Sequence, residues 1–419
     1  MPEKTVQEFI AAPSWLTREY VQQKLRAYLK DAKLELKKLQ IKPATAGGEN
    51  YASVMTRITV EYIDKNLCQE TTTFIVKTTF ADKDPAAEFL EQYGIYTREM
   101  DMYEEVLPKL AIILQQDLDD HRKMFAGTVC VDRERDSIMF EDMSLESYTT
   151  ADRIKQLDLQ HTQLVLEKLA KFHAAGALLN EKNPGIFDKK YDRCFFNSHT
   201  RAYEPLMKNM LRSLIASIED DKLLHQRYAS KLNGLIEHIM EYSERAMEVN
   251  KEDFVTLCHG DLWTTNTMFN YDEQGKPNNV ILIDFQFSVY SSPAIDLHYF
   301  FSTSLQDDLY QYHQMELIQF YYQKLVESLT KLGFSGHVPS LFQFQQQFQA
   351  RAFYEIFSSF IFLPAMICTG SEGFNIEKGI SQSDNDIAVR SKIYKNPMVQ
   401  KKLRRFLPFF DQRGLLDEL

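Results

Sequence analysis

Asp261 and Asn266 stand five residues apart in "HGDLWTTNTMF", and the apolar run "VILID" ends at Asp284, 18 residues after Asn266. The stretch reads as a short strand, a turn and a second strand. Packing does not ask for two carboxylates and an amide at those positions. A loop that holds a metal and steers a hydroxyl group does. H-x-D-x-x-x-x-N followed by an apolar strand ending in Asp-Phe fixes four side chains and a local structure together. The bland alternative makes Asp261 and Asn266 turn residues and Asp284 a strand-end cap, and the joint spacing favours the first reading.

The chain around this insert divides into two characters. Residues 15–40, "WLTREYVQQKLRAYLKDAKLELKKL" and its continuation, have apolar residues near helical spacing and predict one helix. "VMTRITVEYI" and "TTTFIVKTTF" are β-branched and alternating, and predict two strands joined by a turn at "DKN". "AAEFLEQYGIYTREMDMYEEVLPKLAII" predicts a helix broken at Gly94 and Pro108, and "GTVCVDRERDSIMFEDM" a strand pair. Beyond Met143 the pattern is mostly helical, starting with "DLQHTQLVLEKLAKFHAAGALL" behind an N-cap at Asp158. The expectation is an α+β chain. Residues 1–142 hold an N-terminal helix, an antiparallel sheet and one further helix, and residues 143–419 are helical, with the boundary in "FEDMSLESY".

Phosphoryl transfer needs few parts, mostly electrostatic ones, and the chain offers each of them. Asp261 faces the attacking hydroxyl as base. Asn266 supplies a neutral oxygen to Mg²⁺, and Asp284 is the main Mg²⁺ ligand. Lys77 sits inside the strand "FIVKTTF" and needs an anionic partner there. Glu99, on the next helix, is placed to be that partner.

Composition narrows the alternatives. The net charge is −11, so no basic face for nucleic acid is expected. The five cysteines, at 68, 130, 194, 258 and 368, form no C-x-x-C pair, which argues against zinc and for a reducing compartment. "MPEKTVQEFIAAPSWL" does not read as a signal peptide. The longest apolar run, "FIFLPAMIC", contains Pro364 and falls short of the ~20 residues a membrane span needs. The expected location is cytoplasmic.

Eight stretches carry a family resemblance: "GGENYASVMTRITV", "FIVKTTF", "REMDMYEEVLP", "MFEDM", "LEKLAKFHAAG", "LCHGDLWTTNTMF", "ILIDFQF" and "SSPAIDLHYFFSTS". In this order they resemble the insect ecdysteroid kinase-like (CHK-kinase-like) family. That family stands in the aminoglycoside phosphotransferase and choline kinase group of the protein-kinase-like superfamily. Choline kinases tend to carry Glu, and protein kinases Gly, where this chain has Gln286. The resemblance implies a bilobal protein-kinase-like fold with a small strand-rich N-lobe, a larger helical C-lobe and ATP in the cleft. It implies Asp261 as catalytic base, Asn266 and Asp284 as Mg²⁺ ligands, Lys77 as phosphate lysine and Glu99 as its partner. "FEDM" then links the lobes, with backbone groups of Glu141 and Met143 bonding the adenine. The turn "TAGGENYAS", which departs from G-x-G-x-x-G, covers the phosphates with Ser53 and backbone N–H groups.

Other polar and aromatic residues have bland readings. His173, on an apolar helix face, is expected to be a satisfied core residue, His259 to orient its loop, and Cys258 to fill space. Phe344, Phe348, Phe353, Phe357 and Phe360 recur near helical spacing, which is core packing by default and an aromatic acceptor pocket otherwise. The expected activity is ATP- and Mg²⁺-dependent phosphorylation of a hydroxyl on a bulky, largely apolar small molecule, such as an ecdysteroid or a hydroxylated xenobiotic. The competing readings are a choline or aminoglycoside kinase and a catalytically dead binder of a hydrophobic ligand. The absence of A-P-E after Asp284 argues against a protein kinase.

Overall fold

The computed structural model describes residues 13–44, 53–79, 91–188, 190–192, 194–197, 201–368 and 376–418. The chain falls into two units: Met1–Leu107 with Phe125–Tyr148, and Pro108–Met124 with Thr149–Leu419.

In the first unit the helix Arg18–Tyr28 starts at Thr17, whose side chain accepts the Tyr20 N–H. It does not run on to residue 40 as the apolar spacing predicts. Lys30 takes a left-handed backbone, φ 51°, and the Asp31 carboxylate accepts the N–H groups of Lys33 and Lys65. That turn ends the helix, and Glu35–Pro43 becomes strand β1. The alternation of Leu34 and Leu36, both fully buried, was the competing signal inside the helical window.

Strands β2 (Val54–Ile63), β3 (Gln69–Thr78), β4 (Thr128–Asp132) and β5 (Ser137–Glu141) fall where the β-branched runs predict them. The sheet is antiparallel in the order β1-β2-β3-β5-β4. One face is the core: Ile58, Val60, Phe74, Val76 and Met139 pack with Tyr20, Val21 and Leu25 of the helix. Each fully buried aliphatic chain contributes roughly 1.5–3 kcal/mol. Side chains alternate along a strand, so Lys77 points to the face opposite Val76.

The helix predicted to break at Pro108 continues through it. Ile95–Asp101 passes into a π-helical turn, Met102–Val106, and then into Leu107–Gln116. Leu107 N–H bonds Met102 C=O, five residues back. Proline has no N–H and its ring crowds the carbonyl four residues earlier; the wider turn ahead of it relieves both demands. The second unit repeats the device ahead of Pro364, where Ser358–Phe362 is π-helical and Leu363 N–H bonds Ser358 C=O.

In the second unit the helix Leu159–Lys182 is capped by Asp158, as predicted, and lies on strand β7 (Thr256–Cys258). Gly176 makes that approach possible, since a Cβ there would stand 2.9 Å from Thr256 Oγ1 and 3.0 Å from Leu257 Cβ. β6 (Thr149–Thr150), β8 (Thr267–Tyr271) and β9 (Pro277–Leu282) form a three-stranded antiparallel sheet. β10 (Val289–Ser291) pairs with β7. The rest is helical. Among the described residues no single helix is long and apolar enough to cross a membrane. All five cysteines are free.

Candidate active site

The loop after β7 is held from below by one carboxylate. Asp296, fully buried on the helix Ala294–Ser304, accepts the His259 N–H at 2.7 Å through Oδ2 and the Gly260 N–H at 2.8 Å through Oδ1. His173 Nε2 meets Oδ2 at 3.0 Å, and His173 Nδ1 lies 2.6 Å from the Tyr321 hydroxyl. Burial pushes the Asp296 carboxyl up; the bond from His173 and, further down, the Gly260 amide act against it, and the group stays below the usual carboxylate range. His173 is therefore a satisfied core residue with a structural task. Ligand atoms of His173, Cys258 and Asp296 lie within 4.8 Å of one another, yet all three are spent on internal bonds, with Cys258 Sγ against the Ser291 and Ser292 carbonyls.

His259 joins this loop to the next. Its Nε2 donates to Ile283 C=O at 2.9 Å, which leaves Nδ1 as acceptor for the Asp261 N–H at 3.4 Å. Burial holds the ring pKa below its ordinary value. Gly260 has φ +81°, and a Cβ would fall 2.0 Å from Phe287 C=O, so no other residue fits.

Asp261 and Asn266 touch directly. Asn266 Nδ2 donates to Asp261 C=O at 2.8 Å and to Asp261 Oδ2 at 3.2 Å. The amide nitrogen is thus committed and Oδ1 is the end left for another group. Asn266 C=O accepts the Ile283 N–H at 3.0 Å, extending the β8–β9 ladder by one rung and setting Asp284 beside Asn266. Asp284 itself sits at φ 66°, ψ 65°. A non-glycine residue there costs of order 1 kcal/mol or more. Asp261 and Asn266 are thus in direct contact, and Asp284 follows the residue whose N–H bonds Asn266 C=O.

In the first unit Lys77 Nζ contacts Glu99 at 2.8 Å through Oε1 and 2.7 Å through Oε2. Both side chains are nearly buried, at 8% and 4% exposure. Desolvation makes a buried ion pair poor value for stability, so its presence asks for another reason. Glu141 and Met143 flank Asp142, whose carboxylate collects Arg57 Nε at 2.7 Å, Thr73 Oγ1 at 2.8 Å and Ser144 Oγ at 2.7 Å. Glu141 N–H is used by Gly127 C=O, and Met143 C=O accepts the Tyr148 N–H. Met143 opens the 3-10 turn Met143–Glu146, so its own N–H has no partner within that turn. Ser53 is buried just before β2. Residues 45–52 of the expected phosphate-covering turn lie outside the described residues.

The five phenylalanines are core. Phe344 packs on Tyr321, Phe348 on His298, Phe353 on Tyr242 and Phe360 on Phe410. Phe357 joins Phe195, Phe196, Tyr354 and Phe362 in an aromatic cluster. Tyr299, itself buried, stacks on Phe195 and Tyr354 in the same cluster. The brace on the loop after β7, Asp296, lies in the stretch "AIDLHYFF", in the first turn of its helix.

A family model described as the ecdysteroid kinase-like family matches residues 47–334. No curated protein matches the chain. Similar solved structures include the choline kinase LicA from Streptococcus pneumoniae, with 16% identity over 80% of this chain and 98% of that chain and a TM-score of 0.34.

Proposed function

The chain belongs to the ecdysteroid kinase-like family, and from that premise we propose that it is an ATP- and Mg²⁺-dependent small-molecule kinase. The observation that carries this reading is the contact of Asp261 with Asn266, beside Asp284, on loops held by Asp296 and His259. A base, a neutral oxygen donor and a carboxylate at that spacing suit in-line phosphoryl transfer.

Asp261 orients the acceptor hydroxyl and takes its proton late, as that oxygen attacks the γ-phosphate. Asn266 Nδ2 holds the Asp261 carboxylate at 3.2 Å and so limits where its oxygens point. The side-chain oxygens of Asn266 and Asp284 would hold Mg²⁺, and the ion would supply neutralisation of phosphate charge there. Lys77, aimed by Glu99, meets the phosphates, Ser53 donates to them, and the backbone of Glu141 and Met143 bonds the adenine.

For the acceptor, membership of the ecdysteroid kinase-like family favours a bulky, largely apolar alcohol, an ecdysteroid or a hydroxylated xenobiotic. The test is phosphotransfer from MgATP, read by mass spectrometry, across ecdysteroids, plant phenolics and glycosides, choline and aminoglycosides, with D261N as control. A phosphorylated steroid or phenolic from the wild type alone is the expected result. Product from D261N at the wild-type rate removes Asp261 from its role. Phosphorylated choline or aminoglycoside alone reverses the acceptor class.

A further inference from the structure

Strand β5 ends at Glu141, whose pairing with Phe74 is the last rung of its ladder with β3. Past that rung the path of Glu141, Asp142 and Met143 depends on side chains, and both carboxylates serve it. Glu141 accepts the Tyr28 hydroxyl at 3.0 Å and the Gly127 N–H at 3.3 Å. Tyr28 packs on the core, so Glu141 is tied to the core side of the sheet. Asp142 turns the other way.

Side chains alternate along a strand, so Thr73, Ile75 and Lys77 share the face of β3 opposite the core residues Phe74 and Val76. Arg57 of β2 stands opposite Ile75 and lies on that face too. The buried Asp142 carboxylate reaches it. Oδ2 accepts Arg57 Nε at 2.7 Å and Thr73 Oγ1 at 2.8 Å, and Oδ1 accepts Ser144 Oγ at 2.7 Å and Ser144 N–H at 3.1 Å. The bond to Ser144 N–H is the one an N-cap makes to start the turn Met143–Glu146. The bonds to β2 and β3 are more than a cap requires. Burial pushes the Asp142 carboxyl up, the bonds from Ser144, Thr73 and Arg57 act against it, and the group stays below the usual carboxylate range.

We propose that Asp142 is a positioning residue for the base of the nucleotide: tied to Arg57 and Thr73 on the Lys77 face, it fixes where the backbone groups of Glu141 and Met143 meet the adenine. This rests on the kinase reading, in which those backbone groups bond the adenine. Hydrogen bonds weaken steeply as distance and angle drift, and a linker held in place beforehand spares the cost of ordering it on binding. The bland alternative is a cap that has collected extra donors. The two differ in selectivity for the base. A linker fixed for adenine leaves polar groups unpaired against guanine, whereas a fold that has only lost stability discriminates as before.

The experiment is titration calorimetry of MgATP and MgGTP on the full chain, as wild type, D142A and T73V, which needs no acceptor. T73V removes one bond to the carboxylate and keeps the shape of the side chain, so it decides the matter where D142A does not fold. The wild type is expected to prefer ATP. In D142A the affinity for ATP should fall about tenfold and that for GTP far less, so the preference falls by nearly the same factor. In T73V the preference should fall about threefold. An unchanged preference in D142A, or in T73V where D142A does not fold, overturns the positioning role and leaves the kinase reading standing. Equal affinity of the wild type for the two nucleotides does the same. A wild type that binds neither overturns both.

Discussion

Asp296 holds the backbone of Gly260: its Oδ1 accepts the Gly260 N–H at 2.8 Å from a position 36 residues further along the chain. With Oδ2 on His259 N–H and His173, this carboxylate has no accepting capacity that an amide could replace. D296N offers one oxygen for two and turns a donor toward groups that donate. Asparagine there is expected to lower stability by about 2–4 kcal/mol, since it leaves buried donors unpaired. Turnover should fall at least tenfold, with ATP affinity in the folded fraction changed far less. Urea unfolding and steady-state kinetics on the same preparation check this, and wild-type stability in D296N would remove the carboxylate from its bracing role.

The Lys77–Glu99 pair separates stability from function. K77M alone strands a buried carboxylate and should cost about 3–5 kcal/mol. The double variant K77M/E99L replaces the pair with apolar chains of similar size and should recover most of that loss, because the desolvation of both charges is no longer required. Turnover should stay at least a hundredfold down in both. A double variant that recovers activity along with stability would show that the pair serves only the fold.

The β-branched runs and the loop motif were legible because each is local. Strands β2 and β3 start or end where alternation and turn residues put them, and the Asp261–Asn266 contact lies within five residues. The misread helix at 15–40 shows where local pattern fails. Leu34 and Leu36 suit either period, and the decision fell to a left-handed Lys30 and to pairing with β2 that no window contains. The π-helical turns before Pro108 and Pro364 were invisible for a related reason. Proline announces a break, and tertiary packing decided to widen the helix instead. The task of Asp296 was hidden because it is a contact 36 residues away in sequence, between a helix and a loop.

Glu355 makes acid stability testable. The side chain is fully buried and receives His298 Nδ1 at 2.6 Å, the Tyr310 hydroxyl at 2.5 Å, Gln314 Nε2 at 3.2 Å and Arg413 Nη1 at 2.5 Å. Burial pushes the carboxyl up, but Arg413 and His298 outweigh it and hold the pKa at about 2, below the ordinary 4.5. A carboxyl whose folded pKa is depressed stabilises the fold above the unfolded value and loses that contribution as pH falls through the folded one. The shift corresponds to about 3 kcal/mol at neutral pH. E355Q, which resembles the protonated form, should be less stable than wild type by about that amount at neutral pH. The gap should begin to close below pH 4.5 and be roughly halved near pH 3, as the unfolded carboxyl takes up its proton first. Urea midpoints of both proteins across this range decide it: a gap that does not narrow on acidification would mean that Glu355 contributes through packing and hydrogen bonds that charge does not govern.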